Sequence, residues 1–171
     1  KQWLARVYVA TFGYSLKSEL ASREILKPLL KAHRVALGSG DIEFSLFAAA
    51  VYVRTAVFVA TPLTQLVSEI YTFIHLMDSY QQTSTSRFMR PTYQFALNMI
   101  GRSRSPAILT GEAMDEEKVL AEARKGHVGS VVTAVYTFKL ILLYHFGLNK
   151  AAEEVAAILE KCDLSTYTSF S

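Results

Sequence analysis

Hydrophobic positions follow a repeated order along this chain. A long, almost uniformly apolar run is followed by a short break at Gly or Pro and then by a more polar, amphipathic run, first over residues 41–80 and again over 127–162. Helix pairs of repeat scaffolds have this pattern, because each pair buries its apolar faces against the next pair. The pattern predicts an all-α fold of stacked antiparallel helix pairs.

The first pair follows a glycine-rich break over residues 38–40. Asp41 is placed to cap a helix over residues 42–60, which is apolar on almost every face and must be covered on most sides. Thr61 and Pro62 predict the next helix start, with the hydroxyl as its cap and proline at the first helical position. The apolar positions of that helix share one face: Leu63, Leu66, Val67, Ile70, Phe73, Ile74 and Met77.

The second pair is predicted over residues 128–146 and 149–162, with Gly147 as the break. Its first member is rich in β-branched residues, but its uninterrupted length exceeds that of a typical strand. No segment of the chain alternates convincingly between apolar and polar residues. We therefore expect about seven to eight helices and no sheet.

Weaker patterns predict the remaining elements. Pro91 marks either the start or a kink of the fifth helix, which Gly101 ends. Asp115 begins another helix, with acidic residues in its first turn and basic residues in its last turn, as the helix dipole favours. The other predicted segments are helices over residues 2–16 and about 23–37, a loop or frayed helix end over 79–86, and a connector over 102–111.

Length and composition favour one domain. The chain has 171 residues, of which 51% are hydrophobic, so a substantial core can be buried. We predict a single all-α helical-repeat domain over residues 1–162 and a polar tail over 163–171. The first residue, Lys1, and the polar end lead us to expect a segment of a larger chain.

Charge and cysteine content limit the partners and the compartment. The net charge of +3 comes from scattered Lys and Arg residues, a field too weak to indicate nucleic acid. The single cysteine, Cys162, permits no intrachain disulfide and falls on an apolar stripe. No export signal opens the sequence. These observations favour the cytoplasm.

Two segments have the length of a membrane span, residues 44–63 and 128–146, since a span needs about 20 apolar residues. Each contains one central cation, Arg54 or Lys139, and such a charge costs roughly 2.5 to 3.5 kcal/mol on insertion scales. Buried helices of a soluble bundle are therefore the favoured interpretation. A membrane-embedded helical subunit is the alternative.

The sequence contains no recognisable catalytic, cofactor or metal site. It has no phosphate-binding loop, and its four histidines lack zinc spacing. We expect His33 and His145 to be packed or half-buried, and His75 and His127 to lie at surfaces or helix ends. The acidic run Asp115–Glu117 fans out around a helix, which favours capping over ion binding. A small-molecule-binding helical domain with a distributed site stays open as a further alternative.

Two sets of charged residues are candidate contacts for a protein partner. Arg87, Arg90, Arg102 and Arg104 form the first set, whose guanidinium groups suit a phosphate or an acidic partner. Such residues are more often a solvated face. Ser103 and Ser105, among these arginines, are alternative phosphorylation sites.

The second set comprises the two lone cations of the apolar helices and the tyrosines near them: Tyr52, Arg54, Tyr136 and Lys139. The first helix of each pair in a repeat scaffold commonly lines the concave surface, which makes these residues candidate groove contacts. A buried charge without a partner is costly, so structural pairing with Glu43, Glu69 or Glu112 is the competing interpretation.

Several of these segments together resemble a known family. They look like the tetratricopeptide-like helical region of very large multidomain signalling ATPases, of AAA or STAND-like type, and the resemblance covers residues 20–162. The segments that carry it are the leucines Leu26, Leu29, Leu30 and Leu37, then Gly40-Asp41-Ile42-Glu43, Gly111-Glu112-Ala113-Met114-Asp115-Glu116-Glu117, Tyr136, Lys139-Leu140-Ile141-Leu142 and Phe146-Gly147.

The resemblance implies a role between catalytic domains. Members of this family join a serine/threonine kinase-like domain, a nucleotide-binding ATPase domain and this helical region, often with a GAF sensor and a histidine kinase or cyclase output. None of their ATP-handling or phosphotransfer motifs lies in these residues. The implied function is a non-catalytic scaffold that contacts neighbouring domains or a second copy.

Overall fold

The computed structural model describes residues 2–11, 24–59 and 61–168, and for residues 2, 4 and 163–168 it describes the backbone alone. All regular structure in these ranges is helical, which confirms the predicted all-α class. The helices are α1 (Gln2–Tyr8), α2 (Leu26–Gly38), α3 (Ile42–Phe58), α4 (Leu63–Ser79), α5 (Thr83–Met99), α6 (Glu116–Lys125), α7 (Gly129–His145) and α8 (Asn149–Thr168).

The chain divides into two compact units, Lys1–Met89 and Arg90–Ser171. In the first unit α3 packs against α1, α2 and α4. In the second unit α7 packs against α6 and α8. The stacked, tetratricopeptide-like arrangement and the single domain over residues 1–162 stay predictions.

In the first unit, local signals set the helix ends largely as the sequence predicts. The Asp41 carboxylate accepts a hydrogen bond from the Phe44 N–H at 3.3 Å and caps α3. Helix α2 begins just before Pro28 and ends at the glycine-rich break, where Gly40 has a φ of +78°. The predicted apolar face of α4 is buried at Leu66, Val67, Ile70, Ile74 and Met77.

The start of α4 differs from the prediction. Pro62, rather than Thr61, is the capping residue, and no side chain caps this helix. The cause is the extended backbone of Pro62, with a ψ of 118°, which places its carbonyl to accept from the Leu66 N–H at 3.0 Å. The helical interval therefore begins one residue later, at Leu63.

Two other boundaries also differ. The predicted loop over 79–86 is a short turn, and α5 begins at Thr83 and continues through Pro91 in its interior. Helix α8 continues to Thr168, beyond the predicted end at Cys162 and into the predicted tail. The α-helical part of α1 is Gln2–Tyr8, and residues 9–11 continue it as a π-helix; residues 12–16 and 23 of the predicted helices 2–16 and 23–37 lie outside the described ranges.

In the second unit, tight turns end the helices. Gly147 and His127 both have positive φ, 72° and 54°, the left-handed conformation that commonly ends a helix. The Leu148 N–H then donates to the Leu143 carbonyl, and the Val128 N–H donates to the Ala123 carbonyl, both at 2.8 Å. Helix α7 forms despite its β-branched residues because burial of Val131, Val135 and Leu142 outweighs their weak helix propensity.

The helices that include most of the two candidate spans, α3 and α7, are each 17 residues long. Among the helices that the structure describes, none combines the length and the hydropathy that a membrane span requires.

Candidate functional site: a polar cleft in the second unit

An open cleft of about 980 Å³ lies beside the irregular segment between α5 and α6. We call this segment, residues 100–115, the connector. The connector, the first turn of α6 and one side chain of α7 line the cleft. The lining residues are Gly101, Arg102, Ser103, Arg104, Ser105, Ile108, Thr110, Gly111, Glu112, Asp115, Glu116, Glu117 and Lys139.

One buried amide holds the first half of the connector. Asn98, near the end of α5, is 2% exposed, and its Nδ2 donates to the carbonyls of Ser105, Pro106 and Ile108 at 3.3, 3.0 and 2.7 Å. These carbonyls have no helix or strand partners, so a buried side-chain donor is needed to satisfy them. Asn98 therefore fixes the backbone path of the connector.

A second amide, one helical turn earlier, holds the other half. Gln94 is fully buried, donates to Asn98 Oδ1 at 2.8 Å and accepts from the Ala113 N–H at 2.9 Å. Gly111 packs directly on this side chain, since a Cβ at that position would lie 2.7 Å from Gln94 Nε2. The Arg90 guanidinium donates to the Ala113 carbonyl at 3.1 Å, so both backbone groups of Ala113 are bound by side chains of α5.

A buried ion pair, Glu116 and Lys139, forms part of the cleft lining. The Glu116 carboxylate accepts from Lys139 Nζ and from the Leu109 N–H, the latter at 2.9 Å, while the Glu116 N–H donates to Thr110 Oγ1 at 3.1 Å. The Glu116 side chain is 7% exposed and that of Lys139 is 25% exposed. A charge of this burial needs such a full set of partners. Lys139 thus has a structural partner that the sequence analysis did not consider.

The rim of the cleft carries exposed charges. Arg102 pairs with Glu112 at 2.7 Å, and Tyr93 donates to the other oxygen of the same carboxylate at 3.1 Å. Arg104 is exposed beside Ile108, whose side chain is 47% exposed. Asp115 caps α6 by accepting from the Lys118 N–H at 3.1 Å, as the sequence predicts.

The structure brings together three of the eight predicted contact residues, Arg102, Arg104 and Lys139, at the cleft. Arg90 binds the connector backbone at the Ala113 carbonyl. Tyr136 is buried on α7, and its hydroxyl accepts from Arg124.

The other three predicted contacts, Tyr52, Arg54 and Arg87, belong to the first unit. Arg87 is exposed on α5. Arg54 is half-buried, with its guanidinium carbon 5.7 Å from the centre of the Phe88 ring, and within the described residues its buried Nε has no hydrogen-bond partner. A contact over an aromatic face offsets part of the desolvation of that cation.

Tyr52 is 8% exposed and donates to Glu69 Oε2 at 2.9 Å. Burial, followed by the hydrogen bond and the negative charge of Glu69, raises the pKa of Tyr52 to about 12. Gln65 donates to the other Glu69 oxygen at 2.9 Å. This group is a satisfied pair inside the first unit, and Glu69 is therefore not engaged with Arg54.

The histidines are widely separated. His33 is buried, with Nδ1 3.0 Å from the Ser45 carbonyl oxygen, as expected for a packed ring. His75 and His127 are exposed, also as expected, whereas His145 is exposed at the end of α7 rather than half-buried. Within the described ranges, no group of three or more His, Cys, Asp or Glu residues is arranged to hold a metal ion. Cys162 is half-buried on α8.

Sequence reasoning missed Asn98, Gln94 and Glu116 as the residues that build the site. One signal for the first two is present: a Gln and an Asn four residues apart in an apolar helix share a face and need buried partners. Nothing in the local sequence of Glu116 distinguishes it from Glu117, because its partner Lys139 lies 23 residues away.

No family model matches the sequence, and comparisons with curated proteins and with solved structures returned no match.

Proposed function

We propose that this chain is a non-catalytic, tetratricopeptide-like helical scaffold that binds protein through the cleft of its second unit. In the proposed setting it belongs to a cytoplasmic signalling ATPase or kinase. Its partner is a neighbouring domain of the parent chain or a second copy. The resemblance of residues 20–162 to the helical region of such proteins supports this setting.

The fixed connector is the observation that carries the proposal. Its backbone is irregular, yet its carbonyls and amides are bound by Asn98, Gln94 and Glu116, all of which are buried. A surface that is already ordered loses little conformational entropy when a partner binds. Buried amides that hold an exposed loop in one shape therefore suit recognition.

The chemistry of the rim suits a polypeptide. Exposed Ile108 offers an apolar contact, while Arg104 and Glu117 beside it offer charges of both signs. Protein interfaces combine an apolar centre with a polar rim in this way. Among the described residues, the charges that line the cleft are three basic and four acidic, so neither sign dominates.

Site-specific photo-crosslinking tests the proposal. A photoreactive phenylalanine replaces Ile108 in the full chain, and the matched control replaces Ile158, an exposed isoleucine of α8 that does not line the cleft. In cells that make the parent protein, we expect a crosslink to a polypeptide from position 108 and a much weaker one from position 158. Equal crosslinking at both positions, or none at 108, would contradict the proposal.

A small-molecule site is the second candidate, because the cleft volume lies within the range of known ligand pockets, roughly 300 to 1,000 Å³. Such pockets have a small number of polar groups, whereas ten of the 13 residues that line this cleft have charged or hydroxyl side chains. A metabolite panel that raises the melting temperature of the wild-type chain, but not of Arg104→Glu, would favour this second candidate.

A further inference from the structure

We propose that Ser105 is a phosphorylation site whose phosphoryl group is held by Arg102 and Arg104 and displaces Glu112 from Arg102. Ser105 lines the cleft with both arginines, and Arg104 precedes it directly in the chain. This inference rests on the connector geometry and does not depend on the protein-binding role.

Ser105 is the first residue of a turn in the connector. The Ile108 N–H donates to the Ser105 carbonyl at 3.4 Å, with Pro106 at the second position of the turn, which proline favours. Pro106 and Arg104 are exposed, and Ser105 itself is half-buried. A protein kinase therefore finds the serine on an exposed, irregular segment rather than inside a helix.

Ser105 is a better acceptor than its neighbour Ser103. The Ser103 hydroxyl donates to the Ser105 carbonyl at 2.8 Å, so modification of Ser103 would break a bond that supports the turn. The described contacts of Ser105 in this segment use its backbone carbonyl instead. Its hydroxyl can receive a phosphoryl group with the turn left intact.

The modification transfers one phosphoryl group from a nucleoside triphosphate bound to a serine/threonine kinase. Ser105 Oγ forms a bond to the γ-phosphorus, the bond to the β–γ bridging oxygen breaks, and the nucleoside diphosphate leaves. The hydroxyl proton passes to the general base of the kinase. The serine gains a group of about −1.5 to −2 charges with three strong acceptor oxygens.

The new charge changes the rim of the cleft. Arg102 and Glu112 are both about half exposed, 53% and 44%, and an exposed pair of this kind contributes little to stability. A doubly charged phosphate near Arg102 outcompetes a single carboxylate and repels Glu112, Asp115 and Glu117. Phosphorylation thus converts a mixed rim into an acidic one.

Phosphorus NMR on the full chain tests the geometry. Phosphoserine is introduced at position 105 by genetic code expansion, and its second ionisation is titrated in the folded chain and in the urea-unfolded chain. The two guanidinium groups lower this pKa in the folded chain, while Glu112, Asp115 and Glu117 raise it, so we expect Arg104→Gln to raise the pKa of the folded chain by about half a unit. A folded-chain pKa that Arg104→Gln leaves unchanged would overturn the proposed contact.

Transfer of labelled phosphate tests whether Ser105 is the residue that is phosphorylated. The full chain is incubated with extract from the source cells and ATP labelled at its γ-phosphate, in parallel with Ser103→Ala and Ser105→Ala. The wild type and Ser103→Ala should incorporate label, and Ser105→Ala should lose most of it. Label retained in Ser105→Ala, or absent from the wild type, counts against Ser105.

Discussion

Lys139 and Arg54 show how a lone cation is accommodated in an apolar helix. Lys139 reaches the buried carboxylate of Glu116, which also binds the connector backbone at Leu109. Arg54 instead lies over the Phe88 ring. The sequence identifies both cations as unusual. It contains no periodic signal that would select Glu116, 23 residues from Lys139, over the three carboxylates considered in the sequence analysis.

Removal of Lys139 should therefore be costly. Lys139→Ala leaves Glu116 buried without its counter-ion, and we expect a loss of about 3 kcal/mol, at the low end for buried pairs because Lys139 is partly exposed. The double variant Lys139→Met with Glu116→Gln should recover part of this loss, since glutamine still accepts from Leu109. Urea unfolding measures both.

The control for this prediction is Lys118→Ala, because Lys118 pairs with Asp115 at 4.0 Å and is 80% exposed. It should leave the urea midpoint nearly unchanged. A Lys139→Ala variant as stable as Lys118→Ala would show that the buried pair does not support the connector. A Lys139→Glu variant would place two carboxylates together and destabilise the fold, so a loss of binding in that variant could not be assigned to recognition. Ile108 is therefore the better position for a test of binding.

Tyr52 gives a pH-dependent prediction. Its pKa, about 12 in the folded chain against 10.0 ordinarily, means that folding favours the protonated hydroxyl. The resulting stability is fully present below pH 10.0 and is lost as the pH rises towards about 12. Tyr52→Phe lacks this contribution, so the wild type should exceed it in stability at neutral pH by about 1 kcal/mol and lose that advantage in alkali.

Urea unfolding of both chains across the alkaline range measures the difference between them. All other tyrosines and lysines are common to the two chains, so their titration does not contribute to the difference in stability between wild type and Tyr52→Phe. Tyr80→Phe, which alters an exposed ring, is the matched control and should track the wild type. A stability difference between wild type and Tyr52→Phe that is constant with pH would contradict the assigned hydrogen bond to Glu69.

At the scale of the elements, helices were predictable where periodicity and capping act locally. The cap at Asp41, the break at Gly147 and the buried face of α4 follow from residues within a few positions of one another. Pro91 shows the limit of such reasoning. Proline disfavours a helix interior, yet α5 continues through it, because burial of Ser86 and Met89 before Pro91 and of Tyr93 and Phe95 after it stabilises the helix on both sides of the missing donor.

Two glycines should respond oppositely to alanine. Gly111→Ala places a methyl group 2.7 Å from the buried Gln94 side chain, which Asn98 and Ala113 hold in place. We expect a loss of about 1 to 3 kcal/mol. Gly129→Ala, in the first turn of α7 with open space around its Cβ, should gain about 0.5 kcal/mol. Thermal melts of the two variants measure these changes in stability. A Gly111→Ala variant as stable as the wild type would show that the connector or Gln94 shifts to accommodate the methyl group.

The connector should loosen as a unit when its central donor is lost. Asn98→Leu keeps the approximate volume but leaves the carbonyls of Pro106 and Ile108 without their Asn98 donor and removes one of the donors to Ser105, which costs about 2 to 3 kcal/mol. Amide exchange over residues 103–113 should accelerate, while exchange in α8 should not change. Equal acceleration in both segments would instead indicate global destabilisation.

At the scale of the whole molecule, the sequence predicted the helical class and the apolar helices that form each core, but not the cleft. The helices arise from patterns that repeat every three to four residues. The cleft arises from single bonds between α5, the connector, α6 and α7, none of which recurs with a period. Of the predicted partner contacts, Arg102, Arg104 and Lys139 line the cleft, and they were identified for their charge rather than for their shared location.

The burial of α3 and α7 leads to a prediction for the whole chain. Helix α3 buries ten of its 17 residues, including Leu46, Val51 and Val53, and packs against three other helices of its unit. Amides in such a helix exchange only through extensive unfolding. In hydrogen-exchange mass spectrometry without detergent, α3 should therefore be the slowest segment of the first unit, and α7 should exchange more slowly than α6, which buries three residues. Helix α1 is the internal reference for fast exchange. Rapid exchange in α3, at the rate of α1, would mean that this apolar helix lacks the helical neighbours on which the fold of the first unit depends.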